Sequence, residues 1–169
     1  EELYLNALQT AGRLIAKHPQ RGGLIGVQPT YPETGYGYIK INSQWLTFEK
    51  NKIFNIERFV EKPDLETARS YISTWGYLWN PGYFIWRVDT LLAQYKKYLP
   101  QMYLSFVRIN RSLGSEGQEQ AIEAEFKKIK PVAIEYGILE KADNLVVLPA
   151  EFVFTDIGNW RTVKDILTH

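Results

Sequence analysis

The chain reads as an α/β protein built on a mixed β-sheet flanked by helices. Three observations predict it. Short apolar runs of strand-like composition interleave, along 169 residues, with stretches whose apolar side chains recur at helical spacing. Some neighbouring runs are joined by tight polar turns, as hairpins are, and others by a helix, as crossovers are. No internal repeat, low-complexity segment or linker interrupts the pattern, so residues 1–169 read as one unit.

The elements follow in order. Residues 2–17 predict a helix, with Tyr4, Leu8, Ala11 and Ile15 inward and Glu1, Gln9, Arg13 and Lys17 facing away. Pro19 ends it, and Arg21-Gly22-Gly23 turns into a short strand over Leu24–Val27. Residues 29–37, Pro-Thr-Tyr-Pro-Glu-Thr-Gly-Tyr-Gly, are too rich in Pro and Gly to be regular. A strand over Tyr38–Ile41 follows, then strands over Trp45–Phe48 and Ile53–Val60 joined as a hairpin through Glu49-Lys50-Asn51-Lys52. Pro63 stops the run, and Asp64 is placed to cap a helix reaching Trp75, with Leu65, Ala68, Ile72 and Trp75 inward. A strand over Tyr83–Val88 follows the break at Asn80-Pro81-Gly82. Asp89 is placed to cap the next helix, which ends before Pro100. A second helix carries Met102, Phe106, Ile109 and Leu113 and closes at Gly114. A third, strongly charged helix spans Glu116–Lys128, with Ile122 and Phe126 inward. Ile134, Ile138 and Leu139 predict a short helix carrying Glu135. Strands at Leu145–Leu148 and Phe152–Phe154 lead to a last helix starting at Asn159, with Trp160, Val163 and Leu167 inward.

Composition excludes several classes of function. Hydrophobic residues make up 45% and charged residues 23%, as in an ordinary globular domain. The 20 basic and 19 acidic residues give a formal charge of +1 with no basic block, which argues against a nucleic-acid partner. The absence of cysteine removes disulfides, thiolate catalysis and thiolate metal sites. The two histidines, His18 and His169, follow a helical stretch and end the chain, which is no pattern for a triad or a histidine metal site. No apolar run reaches membrane-span length, so a cytoplasmic location is the expectation. Aromatic content is high, with 11 Tyr, 8 Phe and 5 Trp, a combination that both sugar-binding clefts and ordinary cores use.

Four stretches carry candidate chemistry. Gly35 and Gly37 permit positive φ or the close approach of a ligand to the backbone; the alternative is a plain tight turn. In Arg58-Phe59-Val60-Glu61-Lys62-Pro63, alternation along a strand puts Glu61 on the face of Phe59 and Lys62 on that of Val60. The two charges are then poorly placed to neutralise each other and free to meet hydroxyls and a phosphate of one ligand. Read otherwise, they are two solvated charges at a strand end. Asn80 sits between apolar runs, where its amide can offer a donor and an acceptor to sugar hydroxyls or serve as a turn residue before Pro-Gly. Asp156, leaving a strand end two residues before Gly158, suits either a Mg2+ ligand or a carboxylate bonded to the following amides.

Taken together, these stretches resemble bacterial mannose-1-phosphate guanylyltransferases, also called GDP-mannose pyrophosphorylases, of the sugar nucleotidyltransferase superfamily. The resemblance runs from about Leu24 to Ile166. Its motifs are Pro32-Glu33-Thr34-Gly35-Tyr36-Gly37-Tyr38-Ile39, Phe59-Val60-Glu61-Lys62-Pro63-Asp64, Tyr77-Leu78-Trp79-Asn80-Pro81-Gly82, Ile134-Glu135-Tyr136 with Glu140-Lys141, and Asp156-Ile157-Gly158-Asn159-Trp160. Each motif is weak alone; five in the family's order and spacing are specific.

The resemblance implies roles for single residues. Gly37 would approach the sugar with its backbone, Glu61 would accept bonds from sugar hydroxyls, Lys62 would pair with the sugar phosphate, and Asn80 would read a further hydroxyl. Lys62 and Asp156 would be catalytic, Asp156 as one of two aspartates on Mg2+. The implied reaction is attack by a mannose-1-phosphate oxygen on the α-phosphorus of GTP, with release of pyrophosphate. It needs positioning and charge neutralisation, and no nucleophile from the protein.

Two departures from the family pattern stand out. Pro81 replaces the usual serine of Asn-Ser-Gly, which stiffens that turn and puts the placement of Asn80 in doubt. The chain also begins after the family's glycine-rich nucleotide-binding half, so the expectation is a partial Rossmann-like fold. Such a piece would be inactive alone, with an incomplete Mg2+ site and a sheet edge exposed to self-association. The alternatives are part of a glucose-1-phosphate nucleotidyltransferase, or a non-catalytic sugar-phosphate-binding module.

Overall fold

The computed structural model describes residues 1–157 and 160–167. Its elements are α1 (Glu2–Lys17), β1 (Gly22–Val27), β2 (Gly37–Phe48), β3 (Asn51–Val60), α2 (Leu65–Ser73), β4 (Tyr77–Asn80), β5 (Phe84–Ile85), α3 (Val88–Tyr98), α4 (Pro100–Ser112), α5 (Gln118–Phe126), β6 (Leu145–Ala150) and α6 (Trp160–Leu167). A π-helical turn, Glu135–Leu139, precedes β6.

The sheet is mixed, as expected. β1 and β6 run parallel over their whole length, from Gly22 opposite Leu145 to Val27 opposite Ala150, while β2 pairs antiparallel with both β3 and β4. The strands bond in the order β4-β2-β3-β6-β1-β5, and a further β4–β1 contact, Trp79 opposite Val27, closes five of them into a ring with β5 outside it. The two ladders of β2 decide where the functional side chains meet. Gly37 at the start of β2 lies opposite Asn80 at the end of β4, and Tyr38 lies opposite Val60, one residue before Glu61.

Three apolar clusters hold the layers together. The inward stripe of α1 (Ala7, Ala11, Leu14 and Ile15) packs on Ile25, Ile53, Val146 and Leu148. Leu24, Ile39, Phe59, Leu78 and Val147 form a second cluster with Leu139 of the π-turn. Val27, Tyr38, Tyr77 and Trp79 meet Ala68 and Tyr71 of α2 in the third. Asp64 caps α2 by accepting from Thr67 N at 2.8 Å, as its position predicts.

Several expected details are corrected. Tyr38–Ile41 and Trp45–Phe48 belong to one strand, because Asn42-Ser43-Gln44 is taken up as an irregularity in β2 without ending it. Helix α2 ends at Ser73, so Trp75 is not helical, and Leu65 and Ile72 stay exposed. Its inward residues are Ala68 and Tyr71, and Tyr71 stacks on Tyr77 with ring centroids 4.0 Å apart. Of Tyr83–Val88 only Phe84–Ile85 is strand, since Gly82 turns the chain at φ +82° and α3 already begins at Val88. Asp89 therefore lies inside α3, where it pairs with Arg87 at 2.9 Å.

Phe152–Phe154 makes no ladder. Side-chain packing holds it instead, Phe152 on Tyr4 and Tyr83 and Phe154 on Tyr36. In α6, Trp160 and Leu167 are exposed where an inward face was expected, and none of the described residues of that helix joins the three core clusters. Gly158, Asn159 and His169 lie outside the described residues. No helix among the described residues is long and apolar enough to cross a membrane.

Phe126 is likewise exposed, and the buried residue of the last turn of α5 is Glu125. It is buried because two cations neutralise it, Lys128 at 2.6 Å and Arg108 of α4 at 2.8 Å. Hydrogen bonds from Lys128 and Arg108 hold its carboxyl well below the ordinary value, to about 2. A depressed carboxyl contributes stability that is fully present above its unfolded pKa and is lost as pH falls through the folded one. The α4–α5 junction is therefore expected to weaken between about pH 4.3 and pH 2. Glu125→Gln should flatten that part of the urea midpoint against pH; an unchanged profile would show that the pair does not hold the helices together.

Candidate functional site

Gly37, Glu61, Asn80 and Asp156 line one pocket of about 290 Å3, although they come from distant parts of the sequence. Strand ends bring the first three together, and the segment after β6 adds Asp156. A larger hollow of about 530 Å3 between the helices is lined by Leu92, Phe106, Ile109, Leu113 and Phe126 among others, and it contains no carboxylate. The smaller pocket has the polar groups that fix a ligand's orientation.

Gly37 forms the wall against which Glu61 lies. A Cβ at this position would come 2.5 Å from Glu61 Oε2, 3.0 Å from Phe59 Cζ and 3.3 Å from Asn80 Cβ. Only a residue without a side chain lets the carboxylate and the Asn80 strand approach that closely. The loop before it is held by its own side chains: Tyr38 Oη donates to Glu33 O at 2.8 Å, and Gly35 N donates to Glu33 Oε1 at 2.8 Å.

Asn80 keeps its place despite Pro81. Its Oδ1 accepts from Gly82 N at 3.1 Å, closing the Asn-Pro-Gly turn, and its backbone stays in register opposite Gly37. The carbonyl is thus partly engaged by the turn, while no turn bond involves the amide NH2. The turn takes one of the carbonyl's two lone pairs, so the amide keeps its two donors and one acceptor site for a ligand.

The alternation expected for Glu61 and Lys62 does not hold. Strand β3 ends at Val60, and Lys62 takes φ +47°, a left-handed turn that swings its side chain back onto its neighbour. Lys62 Nζ lies 2.9 Å from Glu61 Oε1, so the two charges expected to stay apart are paired. Glu61 is nearly buried, its side chain 9% exposed, while that of Lys62 is 59% exposed. The hydrogen bond and charge of Glu61 raise the Lys62 pKa above its ordinary value, with smaller contributions from Tyr136 and Glu135. The backbone around the pair is tied on two sides, Lys62 N donating to Tyr36 O at 3.2 Å and Glu61 N to Glu140 Oε1 at 3.4 Å.

Asp156 is held through its main chain, its N–H donating to Tyr36 Oη at 3.0 Å. Tyr36 in turn packs edge-on against Trp79 and Phe154. No group of three or more acidic or histidine side chains able to hold a metal occurs among the described residues. The donor set therefore fits Mg2+ only as one carboxylate, with the remaining positions left to phosphates, water or further ligands.

Reasoning from single residues missed Tyr36, Glu135 and Phe154, all of which line the same pocket. Glu135 opens the π-turn, in which Glu140 N reaches Glu135 O at 3.0 Å, and such turns are frequent at functional sites. The motif containing Glu135 was visible in the sequence, but nothing in its spacing pointed to a pocket formed by strand ends far earlier in the chain.

Residues 2–168 match the nucleotidyl transferase family model. A mannose-1-phosphate guanylyltransferase of Escherichia coli K12 is 29% identical over 167 residues, covering 97% of this chain and 35% of that protein. An alginate biosynthesis protein of Pseudomonas fluorescens is 34% identical over 160 residues, covering 93% of this chain and 33% of that protein. Among solved structures, a mannose-1-phosphate geranyltransferase of Thermus thermophilus superposes with a TM-score of 0.80 at 30% identity, over 99% of this chain and 46% of that one. The chain spans about a third of the length of the curated relatives it matches.

Proposed function

The chain belongs to the nucleotidyl transferase family, and from that membership we propose that its pocket is the sugar-phosphate site of a mannose-1-phosphate guanylyltransferase. The observation that carries the reading is the convergence of Gly37, Glu61, Asn80 and Asp156 on a single pocket. The mannose-1-phosphate guanylyltransferase named among the relatives supports the choice of mannose over glucose phosphates.

In this reading the sugar ring lies against the Gly37 backbone. Glu61 accepts from ring hydroxyls, and the Asn80 NH2 donates to another. Lys62, more than half exposed, turns to the phosphate and lowers the repulsion between that phosphate and an incoming triphosphate. The phosphate oxygen then attacks the α-phosphorus of GTP, the bond to the β-phosphate oxygen breaks, and pyrophosphate leaves. Asp156 would contribute one carboxylate to Mg2+, which supplies further neutralisation of phosphate charge when bound. Positioning and charge are all that the protein must provide.

Calorimetry with mannose-1-phosphate and with glucose-1-phosphate tests the assignment. Mannose-1-phosphate is expected to bind more tightly, and Lys62→Met to weaken it by about tenfold or more, since a charge-assisted hydrogen bond contributes about 1.5–3 kcal/mol. Equal affinity of wild type and Lys62→Met for mannose-1-phosphate would remove Lys62 from the site. Tighter binding of glucose-1-phosphate would move the chain to the glucose branch.

A further inference from the structure

The Glu61–Lys62 ion pair gives the pocket a property that the proposed reaction does not require. The two groups that would receive a sugar phosphate, a carboxylate for hydroxyls and an ammonium for phosphate, hold each other at 2.9 Å. Glu61 Oε1 faces the ammonium, and Oε2 is pressed toward the Gly37 backbone. The partners differ in exposure: Glu61 is nearly buried against Gly37, whereas Lys62 is mostly in solvent and is not packed in the core.

We propose that this pair is a phosphate-operated latch, closed in the unliganded pocket and opened when a phosphate monoester draws the Lys62 ammonium away, so that the Glu61 oxygen it occupied becomes free to accept from sugar hydroxyls only when phosphate is present. The proposal rests on reading the pocket as a sugar-phosphate site. A carboxylate beside an ammonium is a weaker acceptor than a free one, because the cation takes one of its lone-pair sites and offsets its field. A phosphate dianion presents more negative charge than one carboxylate, and the ammonium's three donors can follow it. Phosphate and hydroxyl binding then reinforce each other, and linkage makes the reinforcement reciprocal. The latch discriminates against unphosphorylated sugars by more than the phosphate's own contacts would.

The test uses 1,5-anhydromannitol, a mannose ring without the anomeric hydroxyl, which leaves room for inorganic phosphate beside it. Ligand-observed NMR titration of the whole chain is expected to show its affinity rising about fivefold or more when phosphate is added. Lys62→Met and Lys62→Gly should both bind 1,5-anhydromannitol more tightly than wild type without phosphate, and should lose the response to phosphate. Gly adopts φ +47° without strain, so the second variant keeps the backbone turn even if the first disturbs it. Mannose-1-phosphate binding together with an affinity for 1,5-anhydromannitol that phosphate leaves unchanged would overturn the latch and keep the pocket. Weaker binding of 1,5-anhydromannitol in both variants would also overturn it. Failure of wild type to bind mannose-1-phosphate at all would overturn the pocket reading and the latch with it.

Discussion

Trp79→Ala is expected to cost about 3–5 kcal/mol of folding stability, a large part of the roughly 5–15 kcal/mol available to a domain. Trp79 is 2% exposed and sits where the ring of strands closes, opposite Tyr38 in β2 and Val27 in β1. Tyr31 and Tyr36 meet it edge-on, with ring centroids 4.9 and 5.2 Å away. Removing the indole deletes the packing surface shared by three strands and leaves a cavity beneath Tyr31 and Tyr36. Tyr36 also holds the Asp156 amide, so sugar-phosphate affinity should fall in the variant even where it remains folded. Guanidinium unfolding of wild type, Trp79→Phe and Trp79→Ala would check this, the phenylalanine variant losing well under half as much. A shift below about 1 kcal/mol for Trp79→Ala would mean that the β4–β1 contact does not hold the ring closed.

Much of this fold was legible because local chemistry and global packing agree. The stripe of α1 has helical spacing and is buried where that spacing puts it, at Ala11 and Ile15. The Asp64 cap and the hairpin between Phe48 and Asn51 depend on residues close in sequence, and both occur. Expectations failed where apolar side chains exceeded the surface available to cover them. Leu65, Ile72 and Phe126 continue an apolar period yet stay exposed, because Ala68 and Tyr71 take the sheet face beneath α2 and the neutralised Glu125 takes the α4 face beneath α5. Periodicity reports which face could be buried, and only the tertiary arrangement decides how much of it is.

The pocket divides the same way. Gly37, Glu61 and Asn80 stood out because each lies where a strand starts or stops, within two residues of a Gly or Pro, and strand ends are where this sheet forms its cleft. The pairing of Glu61 with Lys62 was not legible, since it depends on one left-handed residue just beyond the strand. Alternation is a rule for extended backbone and lapses at the first residue that departs from it. The tie between Tyr36 and Asp156 joins positions 120 residues apart, and no local pattern encodes it.

Gly37→Val should abolish measurable sugar-phosphate binding while leaving the protein folded. Valine suits a strand, and Gly37 does not need positive φ, so the backbone itself resists nothing. The conflict lies in the pocket. The new Cβ would meet Glu61 Oε2 at 2.5 Å and Phe59 Cζ at 3.0 Å, and the two methyl groups add further bulk. Phe59 is buried and cannot retreat, so the carboxylate is displaced from its place beside the sugar wall. Overpacking of this kind costs about 1–3 kcal/mol of stability, which a domain of this size survives. Binding loses more, because the bonds from sugar hydroxyls to a displaced carboxylate, at about 1.5–3 kcal/mol each, disappear together and the ring no longer fits. Two such bonds amount to a loss of about 100-fold or more in affinity. Gly37→Ala should fall between wild type and Gly37→Val, since its single methyl can be relieved by a smaller shift of the carboxylate. The unfolding midpoint and the mannose-1-phosphate dissociation constant, measured on all three proteins, separate the two effects. If Gly37→Val bound mannose-1-phosphate within about threefold of wild type, the sugar would have to lie elsewhere than against this strand end.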